Sequence, residues 1–224
     1  MFDNRIIGAL GIASALALGV ATQASASPLL GIELIESGYA TFSTTSTTDP
    51  LFISQSFGTF TTNFEVNNLV TDPLSMDLGS LNVSSNTGGT LTIIASATGL
   101  DTPTFPGFIS QFSGNFSGAV TSVTLQTYLS GSNTMFGTDT LLASLTGTGT
   151  PFGTSIGNNA TATGPFALTE VMTITTTGRA NLSLDGSIAS APEIDAGSGA
   201  AAIALLLGVL GLVGERHRRP EAIA

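Results

Sequence analysis

The chain contains no cysteine and no tryptophan, and its single histidine is His217. Its five basic residues are Arg5, Arg179, Arg216, Arg218 and Arg219, so lysine is absent altogether. Each absence removes a class of chemistry. Without cysteine there is no disulfide framework, no thiolate zinc site, no cysteine nucleophile and no lipid-modified N-terminal cysteine. Without lysine there is no Schiff base and no phosphate-gripping P-loop. Phosphate binding needs clustered cations, and none occur outside the extreme C-terminus, which argues against nucleic acid as a partner. Charged residues make up only 9% of the 224, yet the formal net charge is −10.

What is present falls into three parts. Residues 1–26 read as a secretory signal peptide. Arg5 supplies a positive start, Ile6 to Val20 an uncharged apolar run, and Ala24-Ser25-Ala26 a small-x-small cleavage signal. Ala24 and Ala26 suit the shallow pockets of a signal peptidase, and Ser27 becomes the new N-terminus. Residues 191–224 form a second tripartite pattern. It opens with Ala191-Pro192-Glu193-Ile194-Asp195, continues through an uncharged stretch at 196–214, and ends in a basic tail at 215–224 carrying Arg216, His217, Arg218 and Arg219. An apolar helix over 196–214 would span roughly 28 Å at a rise of about 1.5 Å per residue, barely a hydrocarbon core. The arginines Arg216, Arg218 and Arg219 resist translocation, so this end is expected to stay cytoplasmic while the exported body lies across the membrane.

Those tail residues resemble a PEP-CTERM sorting signal, in which a Pro-Glu motif precedes one short transmembrane helix and a basic cluster. Pro192-Glu193-Ile194-Asp195 is closest to the VPEID-type variant, with Ala191 where valine is usual. The resemblance implies an inner-membrane intermediate read by an exosortase-like enzyme of outer-membrane bacteria that often make exopolysaccharide. It also implies a final location at the cell surface or outside it.

The body, 27–190, is rich in Gly, Ser and Thr but also in phenylalanine, which separates it from a disordered chain. Its periodicity is two. Phe108, Phe112 and Phe116 share a parity, with Ser110 and Gly114 between them. Phe166, Leu168, Met172 and Ile174 share another, interrupted by Glu170. Such alternation marks antiparallel strands with one face buried. Turn signals such as Asp49-Pro50, Asn86-Thr87-Gly88-Gly89 and Gly157-Asn158-Asn159 divide the body into about ten strands. They are expected near 32–43, 51–57, 59–66, 76–84, 90–98, 108–117, 119–128, 140–146, 160–174 and 179–189. The expected fold is all-β, an antiparallel β-sandwich of jelly-roll type flanked by the signal helix and the C-terminal transmembrane helix. One internal likeness, Phe52–Phe60 against Phe108–Phe116, agrees at six of nine positions and extends no further.

Catalytic sites are expected to be absent. The body has no imidazole and no lysine to activate a serine. Paired carboxylates remain, and the closest are Glu33 and Glu36, whose three-residue offset on a strand sends them to opposite faces. Each of the ten body acids is expected to be a solvated surface charge. No metal or cofactor is expected; Asp72 and Asp77 flank one turn without forming a calcium loop. The composition therefore points to a non-enzymatic surface or matrix protein that acts by adhesion, matrix packing or self-association, for which uncharged Thr/Ser-rich strand edges are suited. The alternative is a carbohydrate-binding module of the exopolysaccharide, for which Tyr39 and Tyr128 are the only tyrosines available for stacking.

Overall fold

A computed structural model describes residues 28–69, 74–101, 107–162 and 164–191, together with position 205. The signal peptide with Ala24, Ala26 and Ser27 lies outside the described residues. So do the motif Pro192–Asp195, the apolar stretch apart from Leu205, and Arg216, Arg218 and Arg219. Among the described residues no helix is long and apolar enough to cross a membrane.

The described body is all-β, with ten strands. They are β1 (Leu29–Glu36), β2 (Phe42–Ser46), β3 (Leu51–Phe57), β4 (Phe60–Leu69), β5 (Ser75–Ser85), β6 (Gly89–Leu100), β7 (Phe108–Ser130), β8 (Thr140–Thr146), β9 (Phe152–Asn158) and β10 (Phe166–Ser190). All pairings are antiparallel. Two strands are far longer than the rest: β7 has 23 residues and β10 has 25. They pair with each other from Ala167↔Ser130 to Ser190↔Phe108.

This long ladder is the spine of the fold. On the free side of β10, β6 pairs with the first half and β5 with the second. On the free side of β7, β8 pairs with Thr124–Leu129 and β9 with Phe108–Gly114. Beyond β6 come β1 and β2, and beyond β5 come β4 and β3. The sheet doubles over where the ladder bends, so that its two halves face each other. The Ser110 and Thr127 hydroxyls, from opposite halves of the same strand β7, meet at 2.7 Å in the interior. Phe108 and Phe166 meet edge to face across the same space, with ring centroids 6.3 Å apart.

The expected ten antiparallel strands are found, but the sandwich is corrected. Hydrogen bonding never breaks into two sheets; one continuous sheet curls into a nearly closed, barrel-like wall. The strand boundaries differ for the same reason. The pairs expected at 108–117 with 119–128, and at 160–174 with 179–189, are each one strand that bends without ending. In contrast 32–43 is two strands, separated by a turn at Ser37–Thr41, and β9 lies where no strand was expected.

The bend is built from backbone. Gly118 on β7 has φ +87°, and a Cβ there would press on the Arg179 and Ala180 backbone of β10. Gly88, in the β5–β6 turn, has φ +87° as well, and its Cβ would lie 2.7 Å from the Gly178 nitrogen. Three chain segments thus touch where no side chain fits. Inside the curl, alternate residues fill the core: Leu30, Ile32 and Leu34 of β1, Phe60, Phe64 and Val66 of β4, Ile93 of β6, and Met172, Ile174, Leu184 and Ile188 of β10. One half has a cover on its outer face. The β7–β8 connection puts the Met135 sulfur and the Phe136 ring over Gly31, and Asn133 and Phe136 bond to Gly99 and Ser96. At its end, β10 is held on both sides: Ser190 N–H donates to Leu74 O and Ala191 N–H to Gly107 O, each at 2.8 Å.

Gly118→Ala is expected to cost about 1–3 kcal/mol, because it adds a left-handed φ to a steric clash. Gly131→Ala, where nothing lies within 4 Å of the new methyl and no positive φ is required, is the near-neutral control. Denaturant unfolding of the two variants measures the difference.

Candidate functional site

The acids fall into two groups by burial. Glu36 and Glu170 point inward. Glu36 is 6% exposed, and its carboxylate accepts the Thr59 backbone N–H at 2.8 Å and the Thr59 hydroxyl at 2.6 Å, tying β1 to the β3–β4 turn. Glu33 is half-buried on the other face, so the expected divergence of this pair holds. Both inward positions correct the expectation of solvated charges. The physical reason is parity: each occupies a core-facing slot of its strand.

Glu170 is the more consequential. It interrupts the apolar parity of β10 and sits opposite Ala95 of β6 and Thr127 of β7. It is fully buried, and neither carboxyl oxygen has a hydrogen-bond partner. Thr127, the nearest cross-strand hydroxyl, is engaged with Ser110 instead. The Glu170 Oε2 packs against Gly186 of the facing half, where a Cβ would stand only 2.7 Å from it. An unpaired carboxylate in this position would bear the full cost of desolvation. Burial, and then the negative charges of Asp77 and Asp185, hold its pKa well above the usual carboxylate range. Burial thus favours the neutral, protonated form of this group.

On the outer face of the second half lies an open groove of about 670 Å³. Its floor is a single lateral row, one residue from each of four adjacent strands. Asn67 of β4 pairs with Asp77 of β5, Asp77 with Ser187 of β10, and Ser187 with Gln111 of β7. Asp49 and Pro50, from the β2–β3 connection, border it. A shallower depression of about 440 Å³ shares Gln111 and Asp185 and carries the row on to Ser155 of β9. Asn67 donates to Glu65 Oε1 at 3.3 Å, and Asp49 accepts the Asn68 backbone N–H at 3.2 Å through Oδ2. Among the described residues, Asp77 and Asp185 have no hydrogen-bond or ion-pair partner. Burial, then Asp185 and Glu65, push the Asp77 carboxyl up to about 6. Burial also raises Asp185. By contrast the Ser130 and Ser132 hydroxyls hold Asp139 below the usual range, which steadies the β7–β8 connection.

The row escapes sequence reasoning because its members are far apart in the chain and meet only through register. Glu170 carries one sequence signal, the break in the Phe166–Ile174 parity. Asp72, Asp77's expected neighbour across a turn, lies outside the described residues. No cluster of three or more His, Cys, Asp or Glu side chains among the described residues has the geometry to hold a metal ion. The Phe52 and Phe108 segments prove non-equivalent: one spans the β3–β4 hairpin, the other runs along β7.

Raised acids make stability fall with pH. The unfolded chain releases these protons near pH 4, whereas the folded chain holds Asp77's to about 6, and burial raises Glu170 well above its ordinary value. Over that window the folded state binds more protons, so stability is greatest below about pH 4 for these groups and declines above it. Thermal unfolding followed by circular dichroism at pH 5 and pH 8 is expected to show the lower midpoint at pH 8. Each kcal/mol lost is worth about 2–4 °C in a domain of this size. Glu170→Leu, which replaces the buried acid with an apolar side chain, is expected to flatten most of that slope.

No curated protein matches the chain. The family comparison bears instead on the segment into which β10 leads. Residues 191–220 match the family described as VPEID-CTERM protein sorting domain. That span covers the Pro192-Glu193-Ile194-Asp195 motif, the apolar stretch and the arginine cluster in one register. The chain therefore ends in a VPEID-CTERM sorting domain, a C-terminal sorting signal of the PEP-CTERM type.

Proposed function

We propose that this is a non-enzymatic surface or extracellular-matrix protein. It is exported through the signal peptide at 1–26, held in the inner membrane by an apolar helix at 196–214, and processed at the Pro192–Asp195 motif by an exosortase-like enzyme. Arg216, Arg218 and Arg219 keep the far end cytoplasmic until that step. The β body is then displayed at the surface or released. The observation that carries this reading is the sorting domain at 191–220, placed directly after the last strand of a folded β body. The non-catalytic part is supported by the body's lack of imidazole and lysine and by the opposed directions of Glu33 and Glu36. Self-association is supported by the β3 and β9 edges, each seven residues long, uncharged and paired without a bulge on the inner side.

A second reading, a carbohydrate-binding module facing the exopolysaccharide, is favoured by one feature. The groove over Asn67, Asp77, Ser187 and Gln111 presents carboxamide, carboxyl and hydroxyl groups in a line. No tyrosine takes part, so recognition would rest on hydrogen bonds.

Mass spectrometry of the extracellular protein tests the leading reading. The mature form is expected to begin at Ser27 and to lack Leu205–Val213. Replacing Pro192 and Glu193 together by alanine is expected to leave the full-length chain in the membrane fraction. A surface form that retains the apolar stretch would refute processing.

A further inference from the structure

We propose that the groove across β4, β5, β10 and β7 is a binding site for a linear, neutral polysaccharide chain lying perpendicular to the strands. This rests on the carbohydrate-binding reading and assigns it a place, a direction and a set of contacts.

Asn67, Asp77, Ser187 and Gln111 are not merely near one another; each is the register partner of the next, on the same outer face. Adjacent strands lie about 4.8 Å apart, so the row repeats a polar group at that interval over roughly 14 Å. This interval is comparable to the length of one pyranose unit in an extended glycan. A chain laid along the row meets a new protein group with each sugar. Ser155 of β9, the partner of Gln111, extends the row by one more step.

Sugar hydroxyls both donate and accept, and they suit a surface that offers both functions. The Asn67 carboxamide oxygen and the Asp185 carboxylate accept; the Gln111 carboxamide and the Ser187 hydroxyl do both. Asp77, half-buried and without a hydrogen-bond or ion-pair partner among the described residues, accepts when ionised and donates when protonated. Pro50 and Ala189 add short apolar patches beside the row. The volume, about 670 Å³, lies in the range of ligand pockets and admits several sugar units.

Asp49, Asp77 and Asp185 border the groove, and the body's sole arginine, Arg179, is not among its lining residues. A uronic or phosphorylated glycan would meet uncompensated negative charge, so the site selects neutral sugars. On the outer face of the other half, Met135 and Phe136 lie on Gly31.

The test uses the full chain in a detergent without sugar headgroups. It is titrated calorimetrically with neutral gluco-, manno- and xylo-oligosaccharides of one to eight units. Affinity is expected to rise with length up to four or five units and then level off. Ser187→Val and Gln111→Leu, both on the outer face, are each expected to weaken the longest ligand at least tenfold without shifting the thermal midpoint. Oligomers bearing uronic acids are expected to bind at least tenfold more weakly than their neutral counterparts. If neutral oligomers bind but both variants bind as well as the parent, the site is wrong while the carbohydrate reading survives. If none of the oligomers binds, both fall. If the sugars are shortened during titration, the groove is a hydrolase cleft and the non-catalytic proposal is overturned.

Discussion

The architecture depends on one ladder, the pairing of β7 with β10. Strands of 23 and 25 residues are too long for a flat, singly buried sheet in a domain of this size. Their bend converts length into enclosure: each half of each strand serves a different wall, and every other strand is placed by the half it joins. The bend relies on residues that contribute no side chain, chiefly Gly88 and Gly118, because at that point three backbone segments occupy the space of two. The body's one histidine-free, lysine-free core is thus assembled around a steric condition met by the smallest residue.

The scarcity of cations shapes the rest. In most domains carboxylates are balanced by lysine or arginine; here the body has Arg179 alone. The acids find three other settlements. Glu36, Asp49 and Asp139 accept hydrogen bonds from Thr59, the Asn68 backbone, and Ser130 with Ser132. Glu170 sits fully buried in the core, where desolvation favours its protonated form. Asp77 and Asp185 line the groove without a hydrogen-bond or ion-pair partner among the described residues, where their mutual repulsion and partial burial are tolerated and not relieved. The abundance of threonine and serine is therefore more than a preference for the pleat. Hydroxyls provide the donors that ammonium groups would otherwise supply.

Much of the fold was legible in the residues. Period-two alternation in Phe108–Phe116 and Phe166–Ile174 reported strand and buried face, and β3 and β8 were bounded correctly by their turn residues. What escaped was continuity. The expected strands stopped at 117 and 174 and resumed at 119 and 179, around Gly118 and Gly178; a glycine in a strand pattern is compatible with a stop or a bend, and only the partner strand decides between them. β9 escaped because Phe152-Gly153-Thr154-Ser155-Ile156-Gly157-Asn158 buries little and alternates weakly. The groove was illegible for a deeper reason: it is a product of register, and register between β4, β5, β10 and β7 is set by contacts up to more than a hundred residues apart. The tail, in contrast, is a linear code with three features in order, and it was readable without any tertiary knowledge.

The route by which β10 leaves the body has a mechanical consequence. The sorting domain continues from the end of β10, and β10 is not an edge: it has β7 along its whole length on one side, and β6 and β5 in succession on the other. Tension applied through the tail runs parallel to the strand axis, so its cross-strand bonds are loaded together in shear. An edge strand pulled from one end would instead peel one bond at a time. Pulled through this strand, the body would resist unravelling from its C-terminal end.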